Sequence, residues 1–506
     1  MTRRVLQRLI PIYSSPVPQN TTEKISIFDE EREVTYVRTE LIPPLYGQEW
    51  KPPSGTCAKR GARYSHLAEC LKCVSWMLAF ARRILRLDPS PAILASIATL
   101  GDLFCHPLNH GLQATGTIGV IAPMFWANEY YDEDIKRKMM HAGWCPNEKF
   151  KYMDKFHTIQ MLHLLSRMKK PALRHGRNHE NCTEERCNAF PSDLHDYYSG
   201  HISNGSDGEK CHCVDAVIKN KEVVAILEED DCIPLLEIIP ADSGNLNDLA
   251  VRIVKSTPEI PYVATSHVWI DGLGNPNANS LPVCQLVRLR HLVEEALSNF
   301  SRDPSHIGNI HCNPEKLQRP LFWLDTLLCP VGPPEHKKLF LQKTTQVYRR
   351  ATYVLALDSS LKPYEYSTKT VAEACARIFT SSWTRRLWTL QEGASAKETY
   401  FQFSNCAVSL TGLGTALHTV QVLPRDIRYL SPGWDFGNEF MRLWIFFVVS
   451  KDKNSIASVL SILNCALNNH AVAMPSDEPL CIMTPLSLDS KPIVAVDTAE
   501  DRMQQV

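Results

Sequence analysis

Residues 261–403 alternate short apolar runs with amphipathic stretches, and this alternation constrains the fold more than any other feature of the chain. Between the runs lie stretches such as QLVRLRHLVEEALSNF, which has apolar residues on one helical face. Apolar strands separated by helices predict an α/β domain whose mostly parallel sheet is covered on both faces. The predicted strands are YVATSH (262–267), LFWLD (321–325), TYVLALD (352–358) and TYFQF (399–403).

Composition divides the chain into five predicted segments. The first is rich in proline and polar residues and is expected to be extended or partly disordered. A helical region and a Cys/His-rich segment follow, and a mainly helical region comes after the α/β domain. The segments are 1–55, 56–170, 171–245, 250–403 and 404–506. Because the last sequence looks like one that continues in longer chains, we expect the C-terminal region to be incomplete.

Charge and hydropathy disfavour several classes of partner. The net charge of −1 over 506 residues gives no general electrostatic case for nucleic acid or an anionic membrane. No apolar run reaches the ~18 residues that a membrane helix needs. The basic N-terminus has Pro11 in its apolar part and no small-residue cleavage site. We therefore expect an intracellular, cytoplasmic protein whose 17 cysteines are mainly reduced thiols or metal ligands.

Cysteine and histidine are concentrated between residues 175 and 213, in the pattern His179-x2-Cys182-x4-Cys187, His201, Cys211-x-Cys213. Zinc takes four such ligands in a tetrahedron, and a metal can order a segment too polar to build a core. We predict one structural zinc, although the alternative is a polar surface loop with incidental cysteines. The favoured ligands are Cys182, His201, Cys211 and Cys213, with Cys187 and His179 in reserve.

Polar side chains lie at or just after the ends of three predicted strands, where ligands bind in parallel α/β sheets. They are Ser266, His267, Trp269, Asp271, Asp325 and Asp358. Consecutive strand residues point to opposite faces, so Ser266 and His267 are not a ready nucleophile–base pair. A structural and a catalytic His267 remain equal alternatives. A carboxylate rarely enters an interior unpaired, so Asp325 is expected to pair with Arg385 or Arg386 or to lie in a pocket.

Four stretches together resemble the fungal heterokaryon-incompatibility (HET) domain. They are YVATSHVWIDGLGNPNANSLPVCQLVRL, FWLDTLLCP, KTTQVYRRATYVLALD and WTRRLWTLQE, and they span about 261–400. HET domains resemble TIR domains, so the resemblance implies a flavodoxin-like, mostly parallel sheet at about 255–403. It also implies a role in fungal non-self recognition and programmed cell death, with self-association and an unidentified protein partner.

The motif WTLQE gives this resemblance a chemical meaning. Enzymatic TIR domains carry Trp-Cys-x-x-Glu, whose glutamate serves NAD cleavage, and Trp388 and Glu392 have the same spacing. On a helix this spacing puts both side chains on one face. An apolar setting raises the pKa of such a carboxyl, and its carboxylate can stabilise the oxocarbenium character of a breaking glycosidic bond.

The resemblance therefore implies a NAD glycohydrolase-like site. Its candidate catalytic residues are Glu392, Asp325, His267 and Ser266, and its candidate NAD contacts are Trp269, Asp271, Trp388 and Arg385. Thr389 stands where the TIR motif has cysteine, which keeps open a non-catalytic signalling module of the same fold. The alternative for Glu392 is a solvated helix glutamate, and for Arg385 an ion pair on a helix surface.

Overall fold

A computed structural model of the chain describes sixteen stretches between Asp132 and Val506. The predicted N-terminal segment 1–55 and the helical pattern of residues 57–104 lie outside them. No helix within the described stretches is both long and apolar enough to cross a membrane. The described stretches are 132–156, 159–173, 177–189, 197–204, 209–211, 213–239, 249–258, 260–302, 319–368, 371–421, 440, 444, 447, 477–483, 485–486 and 488–506.

Three helices begin the described chain: α1 (Asp132–His141), α2 (Pro146–Lys155) and α3 (Ile159–Arg167). Helix α2 starts at a proline, whose fixed φ and missing N–H suit the first helical position. The extended residue before it, Cys145, donates its backbone N–H to the Glu148 carboxylate at 3.3 Å. This bond gives the helix a capping box.

The next region contains little regular structure before its first helix. It comprises the antiparallel pair β1 (Ser203–Asn204) and β2 (Glu209–Lys210), strand β3 (Asp215–Val217), helix α4 (Asn220–Leu227) and strand β4 (Pro234–Ile239). The sequence EVVAILEEDDCIPLLEI (222–238) predicts strand, and this prediction is wrong in its first half, which lies in α4. There Val223, Val224 and Leu227 are buried at helical spacing, so one face of α4 enters the core.

The α/β domain follows with alternating strands and helices. In chain order these are β5 (Ala250–Lys255), β6 (Val263–His267), β7 (Ser280–Pro282), α5 (Val283–Arg302), β8 (Phe322–Trp323), α6 (Asp325–Leu328), α7 (Pro334–Arg350), β9 (Tyr353–Leu357), α8 (Val371–Phe379), α9 (Ser382–Arg385), α10 (Leu387–Ser395), β10 (Thr399–Gln402) and β11 (Ala407–Ser409). A single 3-10 turn, Trp269–Asp271, follows β6.

The described residues after β11 are mainly helical. They form α11 (Leu410–Gln421), α12 (Glu478–Met483), α13 (Ser490–Ala495) and α14 (Ala499–Gln505). Helix α12 packs against α10, and α13 packs against α7. The end of the described chain therefore lies on the α/β domain.

Seven strands form one mixed sheet in the order β11-β10-β9-β6-β8-β4-β5. The four neighbours β10, β9, β6 and β8 are parallel, and the strands outside them pair antiparallel. The predicted α/β class with a mostly parallel sheet is confirmed, and the antiparallel edges were not predicted. Counted along the chain, the parallel strands lie in the order 2-1-3-4.

The parallel centre of the sheet is covered on both faces. Every residue of β6 and β9 is buried, which explains their near-continuous apolar sequences. One hydrophobic cluster joins α1, α2 and α3 to α8, α10 and α11, and a second joins α4, α5 and α7 to β4, β6, β8 and β9. The strand ends are therefore held in fixed positions from both sides.

Candidate functional site

Three neighbouring parallel strands end at the same edge of the sheet. The register pairs His267 of β6 with Leu357 of β9, and Ala264 of β6 with Trp323 of β8. From β6 the chain crosses to β8 on one side, and it then returns to β9 on the other side. Ligands bind outside the carboxyl ends of the strands at such a reversal of strand order.

His267 and Trp269 hold the carboxylate of Asp325. His267 Nε2 lies 2.7 Å from Asp325 Oδ1, and Trp269 Nε1 donates to Asp325 Oδ2 at 2.8 Å. The His267 side chain is 1% exposed and that of Asp325 is 27% exposed. His267 therefore positions the carboxylate, and the Asp325 side chain stays partly exposed. Its observed partners differ from the two arginines that the sequence suggested.

Ser266 connects three distant parts of the chain. Its hydroxyl donates to Glu392 Oε2 in helix α10, and it accepts the indole N–H of Trp383 at 2.6 Å. The backbone N–H of Trp383 in turn donates to Asp358 Oδ2 at 2.7 Å. Ser266 is buried, whereas Glu392 is only partly buried. The predicted strand-end residues thus converge around one carboxyl group.

The surroundings of Glu392 raise its pKa to about 7. Burial is the main cause, because it penalises the charged form, and the negative charge of Asp325 acts in the same direction. The hydrogen bond from Ser266 and the positive charge of Arg386 act in the opposite direction. This carboxyl can therefore change protonation state near neutral pH.

Asp325 behaves in the opposite way. Burial alone would raise its pKa, but attraction to His267 and hydrogen bonds from His267, Trp269 and the Thr326 N–H together lower it to about 2. The two carboxyl groups of the site are thus separated in acidity by their environments. Such separation is a physical basis for assigning different roles to two carboxyl groups.

Asp271 lies beside the other end of this network. Its carboxylate accepts the backbone N–H and the hydroxyl of Ser359, both at 2.7 Å. Burial and the nearby charge of Asp358 raise the pKa of Asp271 to about 7. These bonds join the turn after β6 to the turn after β9.

The remaining predicted contact residues, Trp388 and Arg385, have protein partners. The indole N–H of Trp388 donates to Asp477 Oδ2 at 3.1 Å, just before α12. Arg385 Nη1 lies 2.5 Å from Glu148 Oε1, so its guanidinium joins α9 to α2. The next residue, Arg386, donates from Nη1 to the carbonyl oxygen of His267 at 2.9 Å. The two arginines therefore hold α9 and α10 to different parts of the molecule.

Sequence reasoning did not select Tyr348 or Gln391. Tyr348 is buried in α7, and its pKa is raised well above its usual value by burial and by the charges of Glu392 and Asp325. Gln391 is fully buried, and within the described chain neither polar atom of its side chain has a hydrogen-bond partner. An unsatisfied buried amide costs ~1–3 kcal/mol. The W-T-x-Q-E motif was the only signal for Gln391.

Cysteine and histidine form two separate groups that can hold a metal ion. The first contains Cys145, His179, Cys182 and Cys187, and the second contains His201, Cys211, Cys213 and Cys284. In each group all candidate ligand atoms lie within 4.8 Å of one another. This corrects the predicted single set, which combined Cys182 with His201, Cys211 and Cys213.

The reason for the correction lies in two cysteines outside the segment. Cys145 precedes α2, and Cys284 lies in the first turn of α5. The β3–β7 ladder brings Cys213 to Cys284, whereas the loop of residues 177–189 lies against α2. Neither cysteine was predicted, because each is far in sequence from its group and lies at the start of a helix.

Comparison of the chain with protein-family models, with curated proteins and with solved structures gives no match.

Proposed function

We propose that the α/β domain is a HET domain with a TIR-like fold and cleaves the nicotinamide–ribose bond of NAD. The observation that carries this proposal is the position of Glu392. Its half-buried carboxyl group lies at the carboxyl ends of β6 and β9, bonded to Ser266 and next to Asp325. A carboxyl placed in this way can stabilise positive charge that develops on a ribose.

The strand order supports the fold part of the proposal. Flavodoxin-like sheets have the order 2-1-3-4-5 and bind their ligand between strands 1 and 3. The parallel strands here have the order 2-1-3-4, and strands 1 and 3 are β6 and β9. The network of Ser266, Trp383, Asp358 and Glu392 joins these two strand ends.

The proposed reaction assigns different roles to the two carboxyl groups. The bond between the nicotinamide nitrogen and the ribose C1′ breaks, and its electron pair leaves with nicotinamide. Water adds to C1′ and loses a proton, which gives ADP-ribose. Ionised Glu392 stabilises the oxocarbenium character of the ribose, and Asp325 adds negative potential to the site. His267 is a positioning residue because its ring holds Asp325.

Two partly buried tryptophans lie at this site and support binding of a planar ring. Trp269 donates to Asp325, and Trp388 lies one helical turn before Glu392. Aromatic side chains bury large areas, and their faces attract a cationic ring such as nicotinamide in NAD. Asp271 and Arg385 are weaker candidates for NAD contact because Ser359 and Glu148 engage them.

The test uses the purified full chain with NAD. Release of nicotinamide together with ADP-ribose supports the proposal, and it is measured by liquid chromatography for the free chain and for a chain forced to oligomerise by a fused dimerisation domain. No nicotinamide from either form would sink the enzymatic proposal. Forced oligomers are included because the resemblance implies self-association.

The second candidate is a non-catalytic signalling module that self-associates. The observation in its favour is that Ser266 and His267 are buried and serve to hold Glu392 and Asp325. In that case the carboxylates of Glu392 and Asp325 stabilise the carboxyl ends of the parallel strands. A Glu392→Gln chain that still kills fungal cells and still self-associates would favour this candidate over the enzyme.

For the cellular setting we propose the cytoplasm of a filamentous fungus and a role in programmed cell death during non-self recognition. For the metal we propose zinc in a structural role, because Cys thiolates and His imidazoles are its preferred ligands. Glu392 and Asp325 lie at the carboxyl ends of the parallel strands, and we call their surroundings the strand-end site. Neither Cys/His group contains either of these carboxylates. The proposed metal therefore takes no part in NAD cleavage.

A further inference from the structure

We infer that the chain carries two complete Cys₃His zinc centres, each closed by a cysteine from outside the Cys/His-rich segment. Centre 1 consists of Cys145, His179, Cys182 and Cys187, and centre 2 of His201, Cys211, Cys213 and Cys284. The inference rests on the proposal of a structural zinc and is independent of NAD cleavage.

The spacing of the ligand atoms fits a tetrahedral ion in centre 1. With Zn–S of about 2.3 Å and Zn–N of about 2.0 Å, a tetrahedron separates two sulfurs by about 3.8 Å and a sulfur from a nitrogen by about 3.5 Å. Cys182 Sγ lies 3.7 Å from Cys187 Sγ and 3.5 Å from His179 Nδ1. Cys187 Sγ lies 3.7 Å from the same nitrogen.

Centre 2 shows the same spacing around a second histidine. His201 Nδ1 lies 3.5 Å from Cys213 Sγ and 3.9 Å from Cys284 Sγ. All four ligand atoms lie within 4.8 Å of one another, as in centre 1. Each group thus supplies four ligands, which is the complete set for a structural zinc.

Backbone N–H groups point at the sulfurs, as expected when the ligands are thiolates. Asn188 N–H donates to Cys182 Sγ at 3.2 Å, Cys284 N–H to Cys213 Sγ at 3.4 Å and Ile202 N–H to Cys284 Sγ at 3.4 Å. Such bonds orient metal ligands and stabilise their negative charge. A pair of surface loops with incidental cysteines would not require them.

The loop of centre 1 buries little apolar surface that could fix its shape. Residues 177–189 form neither helix nor strand, and Ala189 is the one buried residue among them. Asn147 Nδ2 donates to the Glu184 carbonyl oxygen at 2.6 Å, and this bond links α2 to the loop. Since a polar loop cannot bury enough apolar surface to order itself, a metal supplies the missing stabilisation.

Each centre fixes a segment that contacts the strand-end site. In centre 1, Glu148 follows Cys145 by less than one helical turn and pairs with Arg385. In centre 2, residues 197–200 precede His201 and bond to the loop after β6. There the Tyr197 hydroxyl donates to the Trp269 carbonyl oxygen, and Gly200 N–H donates to the Gly272 carbonyl oxygen at 2.8 Å. Zinc in centre 1 would therefore hold the residue that pairs with Arg385, and zinc in centre 2 would hold the segment that bonds to the loop after β6.

The experiment counts metal in the full chain purified without chelators, by elemental analysis. We expect about two equivalents of zinc for the wild type, and about one each for Cys145→Ser and Cys284→Ser. The matched control Cys406→Ser alters a cysteine outside both groups and should keep two. Two equivalents of a different metal would overturn zinc and leave the two centres standing.

One equivalent or none in the wild type would overturn the inference, as would two equivalents in both single variants. If a serine variant does not fold, Cys145→His and Cys284→His replace it, since each keeps a ligand. They should retain two metals and weaken the thiolate-to-cobalt absorption of the Co²⁺-loaded chain. An unchanged Co²⁺ spectrum in both would contradict the assignment. Absence of NAD cleavage would leave all these outcomes unaffected.

Discussion

The Ser266 hydroxyl donates a hydrogen bond to the Glu392 carboxylate across 126 residues of chain. Ser266 is the second-to-last residue of β6 and Glu392 lies in α10, so this bond joins the first parallel strand to a helix formed after the third. The Trp383 indole donates to the same hydroxyl at 2.6 Å. The segment SSWTRRLWTLQE (381–392) is thereby held against β6 through both Trp383 and Glu392.

For the proposed reaction, the rate of NAD cleavage should rise with pH through about pH 7, because Glu392 has a pKa of about 7 and is proposed to act in its ionised form. Asp325, with a pKa of about 2, stays ionised throughout this range. The rate is measured as nicotinamide release between about pH 5 and about pH 9 at saturating NAD. A rate that falls over this interval would indicate that the protonated carboxyl acts instead.

The same group makes stability depend on pH in the opposite direction. Its pKa is raised in the folded state from 4.5 to about 7, so the folded chain binds more protons between these values. The stabilisation is complete below about pH 4.5 and is lost as pH rises through about 7. The contribution of Glu392 to this loss is no more than about 3.5 kcal/mol. Urea unfolding should show the full loss for the wild type and for the exposed-site control Glu335→Gln. The loss should be smaller for Glu392→Gln, in which Asp271 still has a pKa of about 7.

Ser266→Ala should move the pH profile of the reaction upward. The variant removes the hydrogen bond that favours the charged form of Glu392, so the pKa of the carboxyl rises further. A hydrogen bond to a charged group contributes ~1.5–3 kcal/mol, which corresponds to a shift of about one pH unit or more. Ser298→Ala, at an exposed position of α5, serves as the control. An unchanged pH midpoint of the rate would mean that Ser266 does not bond to the group whose ionisation controls the reaction.

Asp325→Asn should lower the free energy of unfolding by about 2–4 kcal/mol, because His267 and Trp269 lose a charged acceptor. The measurement is the urea midpoint near neutral pH. Asp497→Asn is the matched control, since Asp497 forms an exposed ion pair with Lys338 and its loss should change the urea midpoint far less. Equal losses in the two variants would mean that the buried contacts of Asp325 add little.

The four parallel strands and most helices of the α/β domain could be predicted from sequence because their apolar periodicities are local. The pattern also indicated that Ser266, His267, Asp325 and Asp358 lie at strand ends, and parallel strands end at one edge. The partners of these residues could not be predicted. His267 meets Asp325, and Ser266 meets Glu392, only after the register of three strands is fixed.

The metal ligands show the same limit. Clustering in sequence indicated the Cys/His segment. Cys145 lies next to it because the start of α2 contacts the loop of residues 177–189, and Cys284 because β7 pairs with β3. Residues 222–227 were predicted as strand but form part of helix α4, because β-branched residues in a short run fit either a strand or one face of a helix. In both cases tertiary contacts decided what the local pattern left open.

We propose that Glu392 drives NAD cleavage, and the most direct measurement compares nicotinamide release by the wild type with that by Glu392→Gln. Gln keeps the size of the side chain and removes its charge. We expect the variant to fold, to hold the same metal content and to release nicotinamide at least ~100-fold more slowly, while Glu335→Gln matches the wild type. A folded Glu392→Gln chain that cleaves NAD at the wild-type rate would contradict this role of Glu392.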